Sequence, residues 1–190
     1  MPNVDLPTAT GWVLVLVFVM VVLDALLPFM PGETVLLAAG VAVAHHGSPG
    51  LALLLVTVAA TAVLGGDLVA YRIGGLALTR RLRRGRRGAA WLARLTVVMG
   101  THGPLLLMFG RHLPGVRSAT AYLAGTLGFP IRRFVTFTLA GAILWAAQAV
   151  LIGYLGGVVF PGDPLAALVS AWLVALLAGA LFLSLRRIRV

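Results

Sequence analysis

Two short segments of this chain carry charge in otherwise apolar surroundings. The first, Asp24-Ala-Leu-Leu-Pro28-Phe-Met-Pro31-Gly32-Glu33, holds two acids around a Pro-Gly break. The second, Gly110-Arg111-His112-Leu-Pro114-Gly115-Val116-Arg117, holds two bases around another. A guanidinium is a planar fork that grips phosphate through two parallel N–H bonds and stays charged at any working pH. A carboxylate can take up and release protons, or cover a base until a stronger anion arrives. Broken helix ends add exposed backbone N–H groups that favour anions. Arg111 and Arg117 are therefore candidates to hold a phosphate, and Glu33 with Asp24 to exchange protons or release the arginines. On a continuous helix two residues six apart lie roughly 120° off a common face. The Pro114-Gly115 break lets the chain turn, so both guanidinium groups can converge on one anion.

The two segments head two copies of one unit. From Gly32 to Tyr71 is 39 residues, and from Gly115 to Tyr154 is also 39. Tyr71 opens Tyr-Arg-Ile-Gly-Gly and Tyr154 opens Tyr-Leu-Gly-Gly, with Ala39-Gly40 and Ala124-Gly125 between. A duplicated apolar unit with a broken, charged segment in each copy is a pointer to a membrane transporter site.

Composition decides the solvent. Of the 190 residues 61% are hydrophobic and 11% charged, against about 25% charged in an ordinary soluble domain. Mean hydropathy is +1.05. The net charge of +10 comes from Arg alone, since Lys is absent. These arginines cluster between apolar spans, as in cytoplasmic loops, so nucleic acid is not the expected partner. Without Cys there is no disulfide, thiolate metal site or Cys nucleophile. Met1 to Asp5 carries no positive residue ahead of the apolar run and does not read as a cleaved signal peptide.

Apolar stretches run over Gly11–Leu27, Thr34–Ala44, Leu51–Ile73, Leu95–Pro130, Phe134–Val159 and Leu165–Leu185. A crossing needs about 20 apolar residues, whereas runs of about 10–14 suit re-entrant segments. Arg80, Arg81, Arg83, Arg84, Arg86, Arg87 and Arg94 form one basic loop, Arg132 and Arg133 a second cluster, and Arg186, Arg187 and Arg189 a third. The positive-inside rule puts all three in the cytoplasm. Leu95–Pro130 then begins and ends inside, as a hairpin, and the first copy is its counterpart from outside. The expected fold is an all-α integral membrane protein with one membrane domain over residues 1–190. Repeat one (11–75) is a re-entrant hairpin plus a transmembrane helix, and 76–94 is an Arg-rich cytoplasmic segment. Repeat two (95–157) is inverted, and a C-terminal transmembrane helix follows (165–185). The two hairpin tips meet near the midplane. A plain six-span bundle with kinks is the alternative.

Isolated charge at a bilayer centre costs from about 3 to above 10 kcal/mol, so such groups pair or face a wet cavity. If the tips meet, the acids of one face the arginines of the other. The plainer reading makes all of them salt-bridge staples. Asp67, with Arg72 five residues on, fits that reading best, because Arg72 can extend to the cytoplasmic surface. Asp67, Tyr71, Pro31, Gly32, Pro114 and Gly115 are expected to support the site. His45 and His46 read as solvated loop residues. His102 and His112 lack metal-ligand spacing, so no metal or other cofactor is expected. Gly65-Gly66 and Gly74-Gly75 read as close helix packing. No nucleophile–base pair stands at a workable spacing, which argues against an enzyme.

The string Asp24-x3-Pro28-x2-Pro31-Gly32-Glu33, Ala39-Gly40, Gly66-Asp67-x3-Tyr71-x2-Gly74, Gly110-Arg111-x2-Pro114-x2-Arg117, Ala124-Gly125, Trp145 and Gly153-Tyr154-x2-Gly157 resembles the DedA family, also called SNARE-associated or VTT-domain proteins. The resemblance covers about Asp24 to Gly157. It implies a small multi-pass protein of the bacterial inner membrane with two facing re-entrant hairpins. It implies movement of a lipid across the bilayer, above all recycling of undecaprenyl phosphate, the envelope lipid carrier. Phosphatidylethanolamine movement and proton-coupled ion antiport are the alternatives it carries. It marks Asp24 and Glu33 as the functional acids and Arg111 and Arg117 as the functional bases. The first acid is often Glu in the family; here it is Asp24, one methylene shorter. Partners implied are a lipid substrate and protons, with homo-oligomers open.

Overall fold

The computed structural model of the chain describes residues 6–27, 31–46, 48–78, 86–112, 116–163, 165–174 and 177. In chain order these form α1 (Leu6–Leu26), α2 (Gly32–His46) and α3 (Pro49–Ile73), which runs on into a π-helical turn (Gly74–Leu78). Then come α4 (Arg86–Phe109) with a 3-10 turn (Gly110–His112), α5 (Val116–Thr126) and α6 (Ile131–Val159). A shorter apolar helix, α7 (Leu165–Val174), follows. Among the described residues there is no strand.

Local sequence explains the boundaries. Pro49 stands in the first turn of α3, where its missing N–H costs nothing. Gly128 has φ +68, a value that suits glycine. It closes α5 with the paired bonds of a Schellman turn: Phe129 N–H donates to the Ala124 carbonyl (2.9 Å) and Gly128 N–H to that of Gly125 (3.2 Å). Pro130 then leads into α6. The arginine-rich segment differs from the loop expected there: from Arg86 through Arg94 it is the start of α4. Arg, Ala and Leu dominate that stretch and are strong helix formers. Arg80, Arg81, Arg83, Arg84, Arg186, Arg187 and Arg189, and the far end of the expected 165–185 helix, lie outside the described residues.

The molecule is apolar outside and charged inside. Trp12 (74% exposed), Leu53 (69%), Leu76 (71%) and Leu165 (74%) face outward, while Asp24, Asp67 and Arg111 are buried. That is the reverse of a soluble domain and needs lipid around it. Two helical stretches, Pro49–Leu76 and Ile131–Val159, are long and apolar enough to cross a bilayer. The 15 residues of α2 and the 11 of α5 are too few to span a core of about 30 Å.

Two hydrophobic clusters share the long helices. One gathers α1 and α2 against α3 and α6, through Val17, Leu36, Val63 and Trp145. The other gathers α4 and α5 against the same pair, through Ala70, Leu107, Ala124 and Phe134. The short helices cross over. A Cβ on Gly40 of α2 would lie 2.8 Å from the Val150 carbonyl oxygen of α6 and 3.2 Å from Gly153 Cα. A Cβ on Gly125 of α5 would run into the Tyr71 carbonyl of α3. The Ala-Gly pair of each copy thus seats its short helix on the long helix of the other, beside that copy's Tyr. Of the glycine pairs, Gly66 packs on Val22 and Ala25 and Gly74 on Tyr122, while Gly65 faces open space.

Candidate functional site

The charged residues lie where helices stop. Asp24 is in the last turn of α1, at the end that carries partial negative charge. Arg117 is in the first turn of α5, at an end that carries partial positive charge. Each is misplaced with respect to its own helix and is held by the other: Arg117 Nη2 lies 2.8 Å from Asp24 Oδ2. The break after α1 makes room for this. A Cβ on Gly32 would sit 2.6 Å from Asp24 Oδ2, so only glycine lets α2 begin against that carboxylate. The Arg117 guanidinium carbon also lies over the Trp145 ring, 5.8 Å from its centroid, within cation–π range.

Arg111 enters from the 3-10 turn that ends α4. Its Nη2 donates to Asp67 Oδ2 of α3 at 2.8 Å, and the two side chains are 2% and 4% exposed. Gly141 of α6 admits it, because a Cβ there would approach Arg111 Nε to 3.2 Å and the Met108 carbonyl oxygen to 2.7 Å. Both ion pairs therefore tie an acid from the first half of the chain to a base from the second.

A cavity of about 10 Å³ lies between Asp67, Arg111, Arg117, Thr120 and Thr138, closed by Leu106, Leu107 and Ala121. That is room for one water molecule. Four buried polar atoms here have no hydrogen-bond partner: Asp67 Oδ1, Arg111 Nε, Arg111 Nη1 and Thr138 Oγ1. Orphaned donors and acceptors inside a protein are rare and costly, and their concentration in one place marks a site rather than packing.

Of the expected residues, Asp24, Arg111, Arg117, Asp67 and Gly32 come together in this interior. Glu33 is in the first turn of α2 and exposed; both ion pairs form without it. Pro31 is exposed and its carbonyl accepts from Val35 N–H at 3.1 Å, starting α2. Tyr71 supports from below: its hydroxyl donates to the Phe129 carbonyl at 2.6 Å and its ring packs on Phe134, 4.7 Å between centroids. Pro114 and Gly115 lie outside the described residues. Arg72 is exposed, as a side chain that extends to the surface would be, and Asp67 pairs with Arg111. His45, expected in a loop, caps α2 with its ring nitrogens 2.9 Å from the Val41 carbonyl and 3.1 Å from that of Pro161. Among the described residues no group of His, Cys, Asp and Glu could hold a metal ion.

Thr138 and Thr120 escape a reading of the sequence. The trace that could have found Thr138 is its register: Phe134, Thr138, Gly141 and Trp145 recur at helical spacing on the buried face of α6. A hydroxyl on that stripe, among glycine and Trp, is out of place in an apolar core.

The VTT domain family model matches residues 30–155, which takes in every element from α2 to most of α6. Inner membrane protein YghB of Escherichia coli is 31% identical over 141 residues, covering 69% of this chain and 61% of that protein. Membrane protein ML0287 of Mycobacterium leprae is 30% identical over 174 residues, covering 90% of this chain and 74% of that protein. Inner membrane protein YohD of Escherichia coli is 33% identical over 126 residues, covering 66% of this chain and 65% of that protein. The chain thus spans about three fifths of the length of YghB. No solved structure matches it significantly. With its apolar exterior, its buried cross-copy ion pairs and these relatives, the chain belongs to the VTT-domain, or DedA, family of membrane proteins.

Proposed function

We propose that this protein carries a phosphate-headed lipid across the bilayer, with undecaprenyl phosphate as the substrate that the family resemblance favours. The observation that carries the reading is that Arg111 and Arg117 line one water-sized cavity in the interior of a bundle that is apolar outside. Two guanidinium groups on one cavity suit a phosphate monoester, which offers three acceptor oxygens. In this form each arginine is covered by a carboxylate, so phosphate oxygens take the place of Asp24 on Arg117 and bind the edge of Arg111 that Asp67 leaves free. The polyprenyl tail stays in lipid along the apolar exterior. Glu33 and Asp24 link the cycle to protons, one by exchange with water at the exposed end of α2, the other by letting go of Arg117. The protein acts as a carrier, not an enzyme.

The same reading includes an inverted repeat. Helices α2 and α5, too short to cross, are the returning arms of two re-entrant hairpins, and the reciprocal seating of Gly40 and Gly125 supports the pseudo-two-fold relation. The Arg-rich segment and the C-terminus face the cytoplasm.

Lysine keeps the charge of Arg and loses its fork. Arg111→Lys and Arg117→Lys should each fold and bind polyprenyl phosphate at least tenfold more weakly. Binding of the dephosphorylated polyprenol, held by its tail alone, should change little. Equal losses for both lipids, or none, would leave the arginines as structural partners only.

A further inference from the structure

Charge balance around the cavity assigns a role to the third acid. The groups facing it are Asp67 from α3, Arg111 from the turn after α4 and Arg117 from α5, with Asp24 of α1 behind Arg117. Thr138 of α6 and Thr120 of α5 are the neutral polar neighbours. Two cations and two anions sum to zero. A phosphate added to this buried set would leave it with one or two uncompensated negative charges, which is strongly unfavourable away from water. A proton taken up with each phosphate dianion lowers that excess from two negative charges to one.

We propose that Asp67 is the residue that takes this proton. This rests on the phosphate-carrier reading and names the proton acceptor within it. Three observations single Asp67 out from Asp24 and Glu33. Its Oδ1 is buried on the cavity without a hydrogen-bond partner, so a proton can add there while Oδ2 still faces Arg111. Thr138 Oγ1, also unpartnered, lines the same cavity and keeps that side of it polar. Arg111 Nε and Nη1 are two further unpartnered donors, so the base that Asp67 covers has a free edge ready for phosphate oxygens. The substrate itself brings the proton. A phosphate monoester has a second pKa near ~6 and so brings a proton in part of its population. That O–H proton passes to Asp67 Oδ1, the phosphate becomes a dianion on the two guanidinium groups, and Asp67 becomes a neutral acid. The proton returns to the phosphate, or leaves to water, when the head group departs.

The test is the pH dependence of undecaprenyl phosphate binding between pH 7 and 8.5, in wild type, Asp67→Asn and Asp24→Asn. One proton taken up per lipid weakens wild-type binding by about tenfold per pH unit over this range. Asp67→Asn keeps an oxygen for Arg111 and removes the titrating group, so its binding should lose the slope. Asp24→Asn should retain it. A slope that survives in Asp67→Asn overturns the proposal. A measurement that does not depend on that variant folding uses Asp24→Asn/Glu33→Gln, where of the chain's five acids only Asp67, Asp5 and Asp163 remain. Adding undecaprenyl phosphate should still raise a protonated-carboxyl band in the infrared difference spectrum, and its absence also overturns the proposal. Failure of the carrier reading is told apart by Arg111→Lys. If that variant binds the phosphate lipid as wild type does, the clamp itself is wrong; if it binds weakly while Asp67→Asn keeps its slope, only the assignment to Asp67 falls.

Discussion

Asp24 has the position that a small neighbour makes available. Its carboxylate occupies the space where any side chain at Gly32 would begin, and this contact brings the start of α2 against the ion pair with Arg117. Gly32→Ala would force a Cβ to within 2.6 Å of Asp24 Oδ2 and drive the carboxylate off Arg117. Overpacking of this kind costs about 1–3 kcal/mol. The expected outcome is a lower unfolding temperature in detergent together with altered binding of polyprenyl phosphate, read on the same samples. A wild-type melting curve would show that α2 can shift without disturbing Asp24. Arg117 has a second support in Trp145, whose ring face contributes about 0.5–2 kcal/mol to holding a cation. That pairing helps to hold the guanidinium beside the cavity.

Among the elements, the short helices are the informative ones. Neither α2 nor α5 is long enough to cross a bilayer, and each is fixed by backbone contact with the long helix of the other copy. Side chains at these contacts would separate the copies and pull the two ion pairs apart. Gly125→Ala places a Cβ against the Tyr71 carbonyl, and backbone cannot swing aside as a side chain can. It should destabilise by about 1–3 kcal/mol and weaken phosphate-lipid binding. Gly65→Ala, on the open face of α3, is the control: it meets nothing within 4 Å. Alanine in a helix interior is better than glycine by roughly 0.5–1 kcal/mol, so this variant should melt at or above wild type. Thermal unfolding of the two proteins side by side checks both expectations, and equal destabilisation would remove the special role of the Gly125 contact.

At the scale of the whole molecule, orientation is the quantity to measure. The chain has no cysteine, so single cysteines can be introduced without background. One placed in the Arg80–Arg87 segment should resist an impermeant thiol reagent added outside intact cells. One placed at Ser48, between α2 and α3, should react. Outside labelling of the Arg-rich segment would reverse the orientation and with it the assignment of which hairpin enters from which side. The proposed inverted repeat carries a stricter expectation: the break after α1 and the break after α4 should open to opposite sides during the cycle.

Sequence alone determined the solvent, two segments of matching spacing and the four charges at the breaks. These are properties of composition and spacing: 61% apolar residues with clustered arginines, equal Gly-to-Tyr intervals, and acids in one Pro-Gly segment answered by bases in the other. The helix breaks could be seen because Pro and Gly act locally. Partner choice was not visible, since it depends on which helices cross. The sequence left Asp67 without a named partner; Arg72, five residues on, turns to the exterior, and Arg111 arrives from 44 residues away to meet Asp67. Glu33 looked equivalent to Asp24, yet α2 turns it outward after Gly32 has brought its helix against Asp24. Thr138 looked like one more residue of an apolar span. Only the tertiary structure placed its hydroxyl on the same small cavity as Asp67 and Arg111, because a cavity is made by the faces that several helices turn toward one another and no single helix encodes it.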